Sequence, residues 1–250
     1  MRIAGILIAG GRSRRMGADK SLLEFGGIPA IARVAAALGE VAQPVTIASG
    51  GKEREEYRFL GLPQAADRFP DCGPLAGLHA GMNACDAEWH LAAPCDLPFA
   101  SAEFMRYLVD AVRRDERWAA DDCAEQGAGG LAEDGGAEED ASASADGRGP
   151  SAAGAPPGRP ASASVRPLAV VPVSLSGKVQ PLLGLYHKDA LPSLEHALLR
   201  RRLKVMEWLE GLEVLYVPEA GFAGASSGEP SPLLNINTPE DYHAARERRV

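Results

Sequence analysis

The sequence predicts an α/β fold built on parallel strands, and two observations carry that reading. Short aliphatic runs of strand length alternate with amphipathic stretches of helical length, the rhythm of βαβ units with right-handed crossovers. Three of the runs are also followed closely by glycine or aspartate: Gly10 and Gly11, Asp67, and Asp96. A parallel sheet takes its ligand at the carboxyl ends of its strands, so these residues mark the candidate site.

The first element is a buried strand through Ile3, Ile6, Leu7 and Ile8. Gly10 and Gly11 break it, and adjacent glycines allow φ > 0 and let successive N–H groups point at an anion. Arg12, Arg14, Arg15 and Lys20 follow. Guanidinium forks and an ammonium beside a glycine turn suit a polyphosphate; the plain alternative is a solvated basic loop. Neither G-x-G-x-x-G nor G-x-x-x-x-G-K-[ST] is present. Gly50-Gly51-Lys52 imitates the end of the second motif, but Glu53 stands where Ser or Thr is needed.

Leu22, Leu23 and Phe25 read as a short extended run closed by Gly26-Gly27. Pro29 suits the first turn of a helix to about Leu38, with Ile31, Val34, Ala35 and Leu38 inward and Gly39 as its stop. Pro44 to Ala48 is the second strand, Lys52 to Leu60 a charged helix, and Pro63 to Ala66 a short strand before Asp67. Gly73-Pro74 opens a helix on which Gly77 and Gly81 share one face, a surface fit for tight packing on a sheet or for a flat ring. Trp89 to Ala93 is a buried strand leading to Asp96, which is held between Pro94 and Pro98. Such an aspartate is a cap or, with phosphates beside it, a ligand for Mg²⁺. Ser101 caps an amphipathic helix to Arg114. After a long polar stretch, Pro167 to Val173 and Val179 to His187 form a hairpin-like pair around Ser176-Gly177. Helices follow at about 190–199 and 203–209, then a strand at Val214 to Val217. The run Arg200, Arg201, Arg202 and Lys204 is either a solvated helix end or a contact for a second substrate's phosphate. Thr238-Pro239-Glu240-Asp241 is a helix start, and Asn235 and Asn237 alternate on one side of the extended segment before it.

The net charge of −8 is unevenly placed: nine of the 34 acidic residues and three of the 26 basic ones lie between 119 and 166, a local −6. That stretch is Ala, Gly, Ser, Pro and acid, with Leu131 and Val165 almost its only large aliphatics, so it reads as a disordered insertion in a single domain spanning 1–250. The rest is nearly neutral, which argues against a nucleic-acid surface. No apolar run reaches membrane-spanning length and no signal peptide is evident, so a cytoplasmic protein is expected. The four cysteines form no C-x-x-C pair, which excludes a zinc knuckle and leaves free buried thiols as the expectation.

The stretch LIAGGRSRRMGADKSLL resembles the signature of the MobA-like nucleotidyltransferases, in particular the molybdenum cofactor guanylyltransferases, with Ile8 in place of the usual Leu. GPLAG after Cys72, PCDLPF around Asp96 and NINTPE near the C-terminus continue the resemblance; the 119–166 insertion departs from it. It implies a Rossmann-like nucleotidyltransferase fold in three αβα layers, and transfer of GMP from GTP to molybdenum-molybdopterin with release of pyrophosphate. It further implies that Gly10, Gly11 and Arg15 hold the leaving phosphates, that Lys20 sits near the α-phosphate and that Asp96 binds Mg²⁺. Ile8, Ala9 and Asp67 would line the nucleoside pocket, Gly73 and Gly77 would lie near the base, and Asn235 and Asn237 at the cleft. Proteins that insert or deliver the cofactor are the implied partners. CTP as donor, another phosphorylated acceptor, or a non-catalytic nucleotide-binding regulator stand as alternatives.

Overall fold

In the computed structural model, residues 1–10, 19–115, 166–222 and 230–247 are described. β1 (Ile3–Ile8) lies at the centre of the sheet, parallel to β4 (Val45–Gly50) on one side and β6 (Trp89–Pro94) on the other, with Leu7 in register with Ile47 and Ala93. β5 (Gln64–Ala66) extends the sheet beyond β4. Past β6 comes β8 (Gly184–His187), antiparallel to it, then β7 (Ala169–Val173) and β9 (Val214–Pro218), giving the order β5-β4-β1-β6-β8-β7-β9. β7 and β9 run in the direction of β1, so β8 alone is reversed among these seven strands.

Both sheet faces are covered because the strands are apolar on both sides. Leu7, Ile47, Leu91 and Leu185 meet α1 (Ala30–Gly39) and α3 (Ala102–Arg114). Ile6, Ile8, Ala48 and Tyr186 meet α2 (Pro74–Ala84), α4 (Leu191–Leu199) and α5 (Val205–Leu209). α3 shows how sequence makes such a layer: Ser101 accepts from Phe104 N at 3.2 Å, and Phe104, Met105, Leu108, Val109 and Val112 form its buried stripe. Each large side chain so buried contributes about 1.5–3 kcal/mol. A smaller cluster joins Phe25 and Ala30 to Ile236 and Ala245, docking α6 (Pro239–Glu247) onto the hairpin of β2 (Glu24–Phe25) and β3 (Ile28–Pro29).

Two expected elements differ. The charged helix at Lys52 to Leu60 is a 3-10 segment, Glu55–Leu60. Its single buried side chain, Tyr57, gives no helical stripe; Arg54 O accepts from Tyr57 N at 3.2 Å, the i to i+3 bond of a 3-10 turn, and Gln64 also holds the Arg54 backbone (2.9 and 2.8 Å). The extended run from Leu22 begins one turn later, because Asp19 accepts from Ser21 N at 3.0 Å and starts a 3-10 turn over Lys20–Leu22. The hairpin that follows turns through Gly26 and Gly27, both at positive φ (61° and 78°). Of the cysteines, Cys72 is buried and free, while Cys85 and Cys95 are free and partly exposed. Among the described residues no helix is long and apolar enough to cross a membrane. The predicted insertion at 119–166, apart from Arg166, lies outside the described residues.

Candidate active site

The site is assembled at the carboxyl edge of the sheet. Where β1 and β4 end, their backbones nearly touch: a Cβ on Gly10 would sit 3.1 Å from Gly50 Cα, and Gly50 itself has φ of +88°. The positive φ favours glycine at Gly50, and any Cβ at Gly10 would crowd the Gly50 backbone. Gly50 O accepts from Asp67 N at 2.7 Å, which places Asp67 on the same side. Asp67 Oδ1 is buried and has no hydrogen-bond partner among the described residues, and burial pushes the carboxyl above its ordinary range. A buried acceptor in that condition suits a ligand donor such as a hydroxyl or an amine.

The continuation of β6 supplies the centre. Cys95 N donates to Ile8 O at 3.1 Å, and Asp96 follows. With its amide nitrogen turned toward the carboxylate, Asn235 donates to Asp96 Oδ2 at 3.0 Å and Oδ1 at 3.3 Å, while Ile236 N donates to Asp96 O at 3.0 Å. Burial raises the Asp96 carboxyl above the usual range; its own N–H and the Lys20 and Lys178 ammonium groups oppose that rise. Lys20 Nζ donates to Asn237 O. Asn237 and Thr238 each donate their backbone N–H to Asp241 Oδ2 at 2.9 Å, and Thr238 Oγ1 accepts from Asp241 N at 3.1 Å. The helix start expected from TPED therefore also holds Asn237 against Lys20. Burial, with Asp96 and Asp19 nearby, pushes the Cys95 thiol up to about 12, so it stays protonated and is no nucleophile.

A second network stands beside the first. Asp19 receives Ser21 N (3.0 Å), Ser21 Oγ (2.7 Å), the Tyr57 hydroxyl (3.0 Å) and Arg54 Nη2 (2.7 Å). The Tyr57 hydroxyl is also 3.3 Å from Ala9 O. Ala9 and Asp19, the residues just before Gly10 and just before Lys20, thus share one buried phenol.

The family model for the MobA-like NTP transferase domain matches residues 5–214. The chain belongs to this family. A probable molybdenum cofactor guanylyltransferase from Pelotomaculum thermopropionicum is 30% identical over 98% of this chain and 93% of that relative. One of the same name from Carboxydothermus hydrogenoformans is 26% identical over 94% of this chain and 91% of its own. The crystal structure of molybdopterin-guanine dinucleotide biosynthesis protein A from Archaeoglobus fulgidus superposes with a TM-score of 0.63 at 20% identity, covering 99% of this chain and 97% of that one, a likeness of fold.

In this MobA-like chain, Lys20, Asp96, Asn235 and Asn237 converge on one cluster, although more than 200 residues separate Lys20 from Asn237. Gly10 and Asp67 border it on the β4–β5 side. Ile8 and Ala9 are buried, so only their backbone atoms can face a ligand. Gly73 takes φ of +66° at the start of α2. Gly77 and Gly81 point at the sheet: a Cβ on Gly77 would meet Ala48 and Ile8 at 3.6–3.7 Å, and one on Gly81 would collide with Ile6. Gly81 thus serves close packing of α2 on the sheet, while Gly77 makes only ordinary contact there. Gly11 and Arg15 lie outside the described residues. Sequence reasoning missed Gly50, set aside with Gly51 and Lys52 as an imitation of G-x-x-x-x-G-K-[ST], and gave Asp19, Arg54 and Tyr57 no role. A lone tyrosine within a charged run was the available signal.

Proposed function

We propose that this chain transfers GMP from GTP to molybdenum-molybdopterin, forming molybdopterin guanine dinucleotide and pyrophosphate. The reading is supported above all by the convergence of Lys20, Asp96, Asn235 and Asn237 at the sheet's carboxyl edge. The names of the relatives and the family's signature residues support the same substrates. An oxygen of the pterin's terminal phosphate attacks the α-phosphorus, the bond from that phosphorus to the β-phosphate oxygen breaks, and its electron pair leaves on pyrophosphate. The attacking oxygen is already ionised, so the chemistry needs alignment and charge neutralisation rather than a strong base.

Lys20, placed by the Asn237 carbonyl, meets the charge gathering at the α-phosphate. Asn235 fixes the Asp96 carboxylate by two hydrogen bonds. Among the described residues no three His, Cys, Asp or Glu side chains gather as a metal site. The donor set therefore fits a cation held by one carboxylate with phosphate oxygens and water, the usual manner of Mg²⁺, and Asp96 would hold it. When bound, Mg²⁺ supplies neutralisation of the phosphate charge. Asp67, with its unpartnered oxygen, recognises the nucleoside. The same reading sets the reaction in the cytoplasm and makes cofactor insertion and delivery proteins its partners.

The test is incubation of the purified protein with Mg²⁺, molybdenum-molybdopterin and each NTP separately, with product identified by mass. The guanine dinucleotide and pyrophosphate are expected with GTP alone. A cytosine dinucleotide from CTP would overturn the donor, and no dinucleotide from any NTP would overturn the reaction.

A further inference from the structure

The turn between β7 and β8 is ordered by polar contacts rather than by apolar burial. Leu175 at its tip is 64% exposed. Ser174 N donates to Lys178 O (2.9 Å), Gly177 N to Ser174 O (2.8 Å) and Lys178 N to Ser174 Oγ (3.0 Å), with Gly177 at φ of +80°. The brace beneath it is Glu219, a carboxylate only 1% exposed. Glu219 accepts from Leu175 N at 3.0 Å through one oxygen and from the Ser231 hydroxyl through the other. Ser231 opens the segment that carries Asn235 and Asn237, and Gln180 Nε2 reaches Leu233 O in that segment at 3.5 Å. A buried acid thus locks the turn to the strip that holds Asp96.

The turn presents one charge. Lys178 is exposed and has no ion-pair partner among the described residues, and because β7 runs in the direction of β1 and β6, its turn stands at the same carboxyl edge as Asp96. It also stands on a defined side. Gly10, Gly50, Asp67 and Gly73 belong to the β1–β4–β5 half of the edge, whereas Lys178 belongs to the β8–β7 half, with the end of β6 and Asp96 between them. Phosphoryl displacement brings the attacking and leaving oxygens roughly in line at phosphorus. If the leaving phosphates are held at the glycine turn after β1, the attacking group arrives from the β8–β7 half.

We infer that Lys178 binds the terminal phosphate of the acceptor and guides it to the α-phosphorus, on a turn fixed by Glu219. The assignment rests on the nucleotidyl-transfer reading and names the residue that the second substrate meets. Lys178 offsets the repulsion between the acceptor dianion and the phosphates of the nucleotide, and it takes no proton from either.

The test uses the full chain with Lys178→Ala and Lys178→Arg. Binding of molybdenum-molybdopterin without GTP is followed by pterin fluorescence, and steady-state kinetics are run with each substrate varied. For Lys178→Ala the acceptor Kd and KM are expected to rise tenfold or more, with KM for GTP and Tm within error of wild type. Lys178→Arg, which keeps the charge, is expected to return acceptor binding to within a few-fold. Unchanged acceptor binding in Lys178→Ala, or an equal loss of GTP affinity, overturns the inference. If wild type forms no dinucleotide while Lys178→Ala still weakens pterin binding, the reaction falls and the phosphate contact stands. If wild type does not bind the pterin at all, both fall.

Discussion

Removing one hydroxyl, Tyr57→Phe, probes the buried network that joins Ala9 to Asp19. The phenol ring is fully buried and keeps its packing, so the change isolates the polar term. Burial pushes the phenol well above its ordinary pKa, so it is a neutral donor throughout the working range. Its oxygen lies 3.0 Å from Asp19 Oδ2, 2.9 Å from Arg54 Nη1, 3.0 Å from Ser21 Oγ and 3.3 Å from Ala9 O. A hydrogen bond to a charged group is worth about 1.5–3 kcal/mol. Asp19 retains Arg54 Nη2 at 2.7 Å and both donors of Ser21, which points to the lower end, about 1.5–2 kcal/mol. For a chain of this length that is a fall in Tm of about 3–8 °C. Because Ala9 and Asp19 flank the glycine turn and Lys20, KM for GTP is expected to rise several-fold while acceptor affinity holds. Thermal denaturation and GTP-varied kinetics read both effects. A Tm within 1 °C of wild type together with an unchanged KM for GTP would refute the clamp.

Asp67→Asn is expected to stabilise the protein at neutral pH and not in acid. Burial raises this carboxyl, so its favourable contribution is present below the unfolded value of 3.8 and is lost as pH rises through the higher folded one; denaturation of both proteins at pH 4 and pH 7 checks the sign. Asp96 is raised in the same direction, so protons should compete with Mg²⁺ at a higher pH than at an ordinary carboxylate, visible as a Mg²⁺-dependent rise in Tm that fades on mild acidification. Lys20→Ala should lower kcat more than it raises KM for GTP, because the α-phosphate gains charge mainly in the transition state; the reverse pattern would make Lys20 a ground-state contact only. Replacing residues 121–164 by a short Gly-Ser link should leave Tm and turnover unchanged, since that composition has little to add to a core.

Much of the fold was legible because both periods are strongly written. The aliphatic runs at Ile3–Ile8 and Trp89–Pro94 admit no helix face, and the stripe of α3 admits no strand. Where local polar chemistry decided, periodicity failed: Asp19 made a 3-10 turn of Lys20–Leu22, and Gln64 pins the Arg54 backbone at the head of the 3-10 segment Glu55–Leu60. The site divides the same way. Asp96 and Asp67 were legible as carboxylates at strand ends, and TPED as a cap. The Gly10–Gly50 crossing, the Tyr57 bridge and the Glu219 brace depend on residues brought together only by the fold, with no spacing in the sequence to announce them. Gly77 and Gly81 show the converse, since a small-residue face is the same pattern whether it packs on a sheet or admits a ring.

If nucleotidyl transfer occurs around Asp96, fixed by Asn235 and flanked by Lys20, the charge of that carboxylate is indispensable. Single-turnover formation of the guanine dinucleotide by Asp96→Asn, at saturating Mg²⁺, GTP and molybdenum-molybdopterin, tests it most directly. The substitution keeps shape and removes the charge. Turnover is expected well below a tenth of wild type, with Tm unchanged or higher now that a buried carboxylate is gone. Retention of more than about a tenth, a loss of only ~1.4 kcal/mol of transition-state stabilisation, would contradict it.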